Sequence, residues 1–465
     1  MGMVGDKNVV ALCTSRIYDL KVHGFIVSLN EFLKKNGFIL WTYSMNEDLY
    51  WNEDKHPTEA SVYDYISYSH VDVLVIMNER IKSHSITDKI IKRAIDNCKP
   101  VVLLNGEYEG CSSVRFDFAA GFEKVVRHVI EDHDVKRPIY MAGIKGNPFS
   151  EERLEIFKKV LGENAIDFNE DMVTYGDFWS KPARKAMQDV IDTGHVPQAV
   201  ICANDIMAIN VCDILKEAGV YIPEDCIVTG FDGYEEAYTS IPGITTVDCE
   251  LSQLAEVTMR AISDGVKGKK SHDYPVIPDL IRNESCGCPR YMKTHDRIIS
   301  HMNDRFFRYQ DDVRVTHDCV TQMMRSETLA EAFSNLEDKY SGHMYCVVKK
   351  NCMRIENNFF DDNTDEDGYV LIYDSERDEA VESEFDPDDI IPGLGDCQND
   401  GFPIFIQALD YMDKTMGYVV YHFDSYDITD YTRMANITEM VNMGLGGFIN
   451  MRYQKQLLKM INNNN

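Results

Sequence analysis

Gln198 to Gly233, QAVICANDIMAINVCDILKEAGVYIPEDCIVTGFDG, constrains the fold of this chain more than any other stretch. Ala199 to Cys202 is a short apolar run, and Asn204-Asp205 ends it. A helical pattern follows, with Ile206, Ile209, Cys212, Ile214 and Leu215 on roughly one face. Gly219 closes that helix, Pro223 follows, and Ile227-Val228 starts a second strand that runs out at Gly230-Phe-Asp-Gly233. Two strands joined by a crossover helix pair in parallel. Open parallel sheets collect ligands beyond the carboxyl ends of their strands, which makes Asn204, Asp205 and Asp232 candidates. The same residue types also suit purely structural work: Asp205 as a helix cap and Asp232 as the start of a turn.

The pattern of that unit extends from Asn8 to about Arg282. Strands are predicted at Val9–Cys13, Phe38–Thr42, Val71–Met77, Pro100–Leu104, Pro138–Met141, Ala199–Cys202, Ile227–Thr229 and Ile244–Val247. Helical patterns lie between most of them, among them Gly24–Lys35, Ala119–Ile130 and Glu151–Leu161. Steady alternation of this kind predicts an α/β fold with parallel sheets covered on both faces. About 280 residues is large for one sheet, so two lobes with a ligand cleft are expected.

The character changes after Arg282. From Arg290 to about Ser326 apolar residues recur at helical steps (Ile299, Met302, Phe306, Val313, Val320, Met324) with no Gly or Pro between them. This reads either as a long helix that pairs with a copy of itself or as a helix lying on its own domain. His343–Lys349, Tyr369–Tyr373, Pro403–Ala408 and Gly417–His422 are β-rich runs separated by turns, which predicts an antiparallel sheet. A last helix is expected over Asp427–Ile461, where Gly444, Gly446 and Gly447 weaken the helix but allow a close helix crossing.

Charge and cysteine usage narrow the function classes. The 465 residues carry a formal charge of −30, and between Glu356 and Asp400 there are 17 acidic residues against one basic residue, Arg377. The remainder holds 60 acidic and 46 basic residues, so neither part favours a phosphate backbone and no direct nucleic-acid binding is expected. Thirteen cysteines, odd in number and scattered from Cys13 to Cys397, fit a reducing compartment. Val9–Cys13 is too short for a secretory signal core, and Asp6 stands where a myristoylation motif needs Ser or Thr. A cytoplasmic protein without membrane partners is expected.

Four signatures in order, Val200–Ala208 (VICANDIMA), Gly219–Asp225 (GVYIPED), Gly230–Asp232 (GFD) and Pro242–Val247 (PGITTV), resemble the C-terminal lobe of the LacI/GalR ligand-binding domain, which has a periplasmic-binding-protein-like fold. The N-terminal half agrees more loosely: Asp117–Gly121 resembles the start of the helix after the family's fourth strand, and Glu152-Arg153 with Phe157 resembles its Arg-x-x-x-Phe segment. The resemblance implies two hinged lobes closing on a small molecule, sugar-like or nucleoside-like. Carried over by position, Arg153 would reach the ligand, Asn204 and Asp205 would sit at a strand end of the second lobe, and Asp232 would accept hydrogen bonds from ligand hydroxyls. Asp117, at the start of its helix, joins the ligand-binding candidates. Ser15 and Tyr18 fall where the family's first loop lines the pocket, and Gly176–Trp179, with Phe178 and Trp179, falls where an aromatic stacks on the ligand. Such a ligand needs charged bidentate partners and flat apolar faces, because buried hydroxyls left unpaired are costly. Arg153 paired only with Glu152 or Glu155, and Trp179 as a core anchor, are the structural alternatives. The first loop reads Thr14–Asp19 without the family's Asn-Pro pair, and the family's helix-turn-helix of about sixty residues is not seen ahead of Val9.

The remainder, Arg282–Cys288 (RNESCGC), a long helix, a GAF-like module ending in Phe402–Leu409 and Gly417–Tyr421, and a helix closing at Arg452–Met460, resembles the sensory half of bacterial LacI-like proteins fused to a GGDEF diguanylate cyclase. The domains then expected are a ligand-binding sensor over 8–288, a signalling helix over 289–326, a GAF-like domain over 327–426 and a C-terminal signalling helix over 427–465. The long helices would form a homodimer. Gly446-Gly447-Phe448 lacks both acidic residues of the cyclase motif, so no catalytic activity is expected of this chain. A LacI-like transcription regulator whose DNA-binding part is missing or separate is the alternative.

Two metal-like patterns carry little weight in the sequence. Asn363-x-Asp365-x-Asp367-Gly368 with Asp374 imitates a calcium loop, yet Tyr369–Tyr373 reads as a strand rather than an exiting helix. Cys286-Gly-Cys288 has no nearby Cys or His at zinc spacing, so no metal or cofactor is expected. His23, His301 and His317 have no carboxylate pattern that would support catalysis.

Overall fold

Each of the eight apolar runs between Val9 and Val247 lies in or overlaps a β-strand in the computed structural model of this chain. The structure describes residues 3–4, 7–47, 49, 57–291, 315–334, 336, 342–354, 358–360, 368–375, 383–385, 387–394, 401–423 and 431–463. It divides into two compact units: Met1–Arg115, Leu251–Tyr274 and Tyr309–Asn465 form the first, and Phe116–Glu250 and Pro275–Arg308 the second. Among the described residues no helix is long and apolar enough to cross a membrane.

In the first unit, strands β1 (Met3–Val4), β2 (Lys7–Ser15), β3 (Phe38–Met45), β4 (Val73–Met77), β5 (Val101–Leu104) and β6 (Ser112–Phe116) come first, with helices α1 (Leu20–Lys35), α2 (Asn78–Ile81) and α3 (His84–Asp96) between them. Strands β2 to β6 pair in parallel in the order β6-β5-β4-β2-β3. Asp19 starts α1 by accepting hydrogen bonds from the Lys21 and Val22 amides, and Ser83 caps α3 through the Ile86 amide.

All eight residues of β3 are buried, which a strand at a solvated sheet edge would not show. Its outer neighbour comes from far along the chain. Strand β17 (Ile404–Tyr411) pairs in parallel with β3, placing Ile404 opposite Trp41 and Ile406 opposite Tyr43. Beyond it the antiparallel strands β18 (Lys414–His422), β14 (His343–Lys349), β15 (Tyr369–Asp374) and β16 (Ser383–Glu384) continue the same sheet. The antiparallel pairing expected for 343–422 is present, but these strands extend the parallel sheet rather than standing apart as a module over 327–426. One apolar core joins Trp41, Tyr43 and Leu74 to Val347, Ile406 and Val420. The buried Gln407 amide donates to Asn46 Oδ1 at 2.9 Å and accepts from Thr438 Oγ1 at 2.6 Å, which leaves neither end of the amide unsatisfied.

Helix α12 (Tyr431–Asn463) covers this extension, where a helix was expected over 427–461. Residues 315–325 form α10, whose Cys319 and Val320 pack with Met440 of α12. The α12 glycines permit the close crossing expected of them: a methyl on Gly444 would meet Met323 Sδ at 2.6 Å, and one on Gly447 would meet Met324 Cγ at 2.6 Å. The described end of the segment expected as a helix over 290–326 therefore lies on its own unit. Residues 292–314 of that segment, and residues 361–367 of the calcium-like loop, lie outside the described residues.

The second unit holds a parallel sheet of four strands in the order β10 (Ile227–Thr229), β9 (Ala199–Cys202), β7 (Pro138–Ala142) and β8 (Val173–Tyr175). Helices α4 (Phe118–Arg127), α5 (Pro148–Glu163), α6 (Ser180–Asp192), α7 (Asp205–Glu217) and α8 (Glu235–Thr239) accompany it. Strand β11 (Thr246–Asp248) pairs antiparallel with β13 (Asp279–Ile281). Phe122, Tyr140, Phe157, Met187, Ile201 and Phe231 meet in its core. Helix α9 (Leu251–Val266) and strand β12 (Asp273–Val276), lying between these segments in sequence, pack with the first unit's α1 and β6 respectively.

Where β17 ends, Asp410 is half-buried, and burial, reinforced by the negative charges of Glu59 and Glu439, pushes its carboxyl from 3.8 up to about 7. The folded chain thus keeps a proton that the unfolded chain loses, so Asp410 contributes stability that falls away as pH rises from about 4 to about 7. The thermal midpoint of the first unit is expected to fall between pH 5 and pH 8, and Asp410→Asn is expected to flatten that slope, both measured by circular dichroism melts.

Candidate functional site

The carboxyl ends of β7, β8, β9 and β10 lie side by side, and β7 and β9 flank the point where the strand order reverses, the usual place for a ligand in such a sheet. Helix α5 follows β7. Asn147 caps it by accepting from the Phe149 and Ser150 amides, and Pro148 occupies its first turn. This start places Arg153 on the buried face, only 7% exposed. Its guanidinium donates to the Ala203 carbonyl at the end of β9, lies 4.0 Å from Asp232 Oδ1 beyond β10, and stacks 4.1 Å over the Phe231 ring. One buried cation therefore holds the ends of two strands together. Neither Glu152 nor Glu155 takes that role.

Asp232 keeps 30% of its side chain exposed and has φ 108°, a left-handed conformation that is costly for a residue with a Cβ. Asp177 and Phe178, after β8, are also left-handed, with φ of 53° and 64°. Phe178 lies against Gly143 at the end of β7, where any side chain would run into its ring. Trp179 is 63% exposed, which rules it out as a core anchor. Strained backbone gathered at neighbouring strand ends is what a preformed binding surface requires.

Other candidates do structural work. Asn204 caps α7, accepting from the Met207 amide at 2.9 Å, and its amide donates to the Phe178 carbonyl at 3.2 Å. Asp205 is fully buried and accepts from the Tyr234 amide at 2.8 Å, while its own amide donates to the Phe231 carbonyl. It thereby fixes the loop that carries Asp232. Asp117 caps α4 through the Ala120 amide at 2.8 Å. In the first unit, the Ser15 hydroxyl donates to the Arg80 carbonyl at 2.7 Å, and the Tyr18 hydroxyl donates to the Asn46 carbonyl at 3.2 Å. Arg153, Phe178, Trp179, Asn204, Asp205 and Asp232 are thus brought to one end of one sheet, with Asp117 capping a helix of the same unit and Ser15 and Tyr18 belonging to the other.

A model of the periplasmic binding protein-like domain matches residues 126–286. Residues 126–286 therefore carry a periplasmic-binding-protein-like domain. The transcriptional repressor MelR of Bacillus subtilis (strain 168) is 25% identical over 210 residues, covering 43% of this chain and 61% of the repressor. The regulator MalR of Clostridium butyricum is 27% identical over 176 residues, 38% of this chain and 52% of its own. The repressor PurR of Salmonella paratyphi B is 30% identical over 135 residues, 29% of this chain and 40% of its own. The chain thus spans between 40% and 61% of the length of these relatives. Among solved structures, the CelR–cellobiose complex matches 61% of this chain and 86% of its own with a TM-score of 0.44 and 20% identity. The Escherichia coli repressor ascG matches 60% and 99% with a TM-score of 0.44 and 22% identity.

The periplasmic-binding-protein-like domain also gathers four residues that the sequence keeps far apart. His128, His133, Cys286 and Cys288 bring their ring nitrogens and sulfurs within 4.8 Å of one another. Burial pushes the thiols of Cys202, Cys212 and Cys226 up, as expected of inert core cysteines. Cys286 differs: burial acts in the same sense, but hydrogen bonds from His128, Thr245 and Cys288 outweigh it and bring the thiol down to about 6. No sequence signal short of the fold itself links the two pairs.

Removing the Arg153 side chain would take the donor from the Ala203 carbonyl and the cation from beside Asp232. Arg153→Ala is expected to destabilise the domain by about 2 kcal/mol, measured by urea unfolding. A change below about 0.5 kcal/mol, the level of a surface substitution, would show that the guanidinium does not join the strand ends.

Proposed function

We propose that this chain is the ligand-sensing part of a LacI-type transcription regulator, and that its periplasmic-binding-protein-like domain binds a small polyhydroxylated molecule, sugar-like or nucleoside-like, at the carboxyl ends of β7 to β10. The observation that carries this reading is the pairing of Arg153 with the exposed, strained Asp232 at the strand-order reversal. A carboxylate beside a guanidinium offers acceptor and donor together to vicinal hydroxyls, and charge-assisted bonds of this kind are the strong ones. Phe178 and the exposed Trp179 supply apolar faces for a sugar ring or a base.

Transcription is favoured as the output because the relatives named above are transcriptional repressors and regulators. The reading of 327–426 as a GAF-like relay to a diguanylate cyclase has no counterpart among them. DNA contact would come from a segment outside the sensor domain, in a cytoplasmic homodimer. Ligand binding would act by favouring one of two arrangements of the chain, to the extent of its differential affinity for them.

Calorimetry of the full chain against mono- and disaccharides, nucleosides and nucleobases is expected to find one binder per chain. Asp232→Ala should weaken that binder by at least about tenfold, the loss of one charge-assisted hydrogen bond. Unchanged affinity in a folded variant would place the pocket elsewhere.

A further inference from the structure

We infer that His128, His133, Cys286 and Cys288 form a closed tetrahedral site for one zinc ion that fastens the end of the sensor domain to the helix following Asp117. The inference is independent of which ligand the domain binds. Among the described residues this is the one group of three or more His, Cys, Asp or Glu side chains with converging ligand atoms.

The separations between ligand atoms fit one small ion. His128 Nε2 lies 3.1 Å from His133 Nε2, 3.4 Å from Cys286 Sγ and 3.7 Å from Cys288 Sγ. Cys288 Sγ lies 3.8 Å from His133 Nε2. A tetrahedral ion with bonds of about 2.3 Å to sulfur and about 2.0 Å to nitrogen separates its ligands by about 3.3 Å for two nitrogens and about 3.6 Å for nitrogen and sulfur. Two sulfurs and two nitrogens in that geometry select zinc among the common divalent ions, and four protein ligands leave no open position for chemistry.

The local backbone is built for this convergence. In an α-helix, residues five apart lie about 140° away from each other around the axis, and His128 and His133 would point in different directions. Residues His128–Asp132 instead form a π-helical turn, which widens the helix and returns both rings to one side. On the cysteine side, Asn283 starts a short turn over Glu284–Cys286, and Gly287 follows with φ 87°, a conformation that lets Cys288 fold back beside Cys286. Both thiols are free of disulfides.

The surroundings complete the site. His128 Nδ1 lies 2.7 Å from Asp132 Oδ2, so the carboxylate holds the proton on Nδ1 and turns the Nε2 lone pair inward. Asp132 is held in turn by Arg282 at 3.4 Å. The Thr245 hydroxyl is 2.9 Å from Cys286 Sγ, placed to donate to a thiolate. On binding, each thiol gives up its proton to solvent, so two thiolates and two neutral imidazoles balance the charge of the divalent ion. A neutral cluster is the form that a buried position such as Cys286, 1% exposed, tolerates best.

The test uses the full chain stripped with a chelator and titrated with Co2+ and Zn2+ alone. One Co2+ per chain is expected, with the thiolate charge-transfer absorption and intense visible bands of a tetrahedral sulfur–nitrogen site, displaced stoichiometrically by Zn2+. Zinc loading is expected to raise the thermal midpoint of the domain. His133→Ala and Cys288→Ser alter half-buried ligands and should fold; each is expected to abolish the tetrahedral spectrum. Asp132→Asn, which removes only the orienting carboxylate, is expected to weaken Zn2+ by about tenfold or more. Asp232→Ala is expected to keep full zinc binding, which separates failure of this site from failure of the ligand pocket. Substoichiometric metal, a weak octahedral cobalt spectrum, a spectrum unchanged in folded Cys288→Ser, or a Cys286–Cys288 disulfide in the reduced-purified chain would each overturn the inference.

Discussion

A guanidinium buried away from water must find acceptors, and in this chain that requirement ties the periplasmic-binding-protein-like domain together. Arg153 leaves α5, yet its partners are Ala203, just after β9, and the loop after β10. The two strands neighbour one another in the sheet, so a single side chain sets how their carboxyl ends converge. Asp205 works on the same loop from the opposite side by accepting the Tyr234 amide. Together they hold Asp232 in a conformation that its own backbone preferences oppose, and that carboxylate is the group presented to solvent. The polar residues at this end of the sheet thus divide into those that build the loop and those left partly open to solvent.

The first unit depends on a different economy of exposed edges. Strand β3 is buried on both faces, and a strand of that kind left unpaired is an aggregation hazard. The β17–β18–β14 strands take up its open side, and the buried Gln407 amide, bonded to Asn46 and Thr438, links the sheet to α12. Residues 7–116 and residues 343–422 therefore share one sheet.

Much of this was legible in the sequence, for identifiable reasons. Short apolar runs bounded by Asn, Asp or Gly made the parallel strands readable, and the spacing from Asn204-Asp205 to Gly230-Phe-Asp232 brought the correct strand ends together. Burial separated roles that composition leaves mixed: Asp205 is inaccessible, whereas Trp179 is exposed. Two features had no local signature. Pairing of β17 with β3 is made by backbone groups, which carry no motif, between segments more than 350 residues apart. The histidines that join Cys286 and Cys288 lie some 150 residues earlier and share a face only because their helix widens into a π turn, so no ligand spacing of the usual zinc kind could announce them.

In the proposed function the carboxyl ends of β7 to β10 form the ligand-binding wall of the domain. Hydrogen–deuterium exchange on the full chain, with and without a bound sugar or nucleoside, measures this directly. Protection is expected at residues 177–179, 203–205 and 230–234, where the strand ends and the Asp232 loop would be covered. Protection confined to other segments, with these three unchanged, would contradict the account.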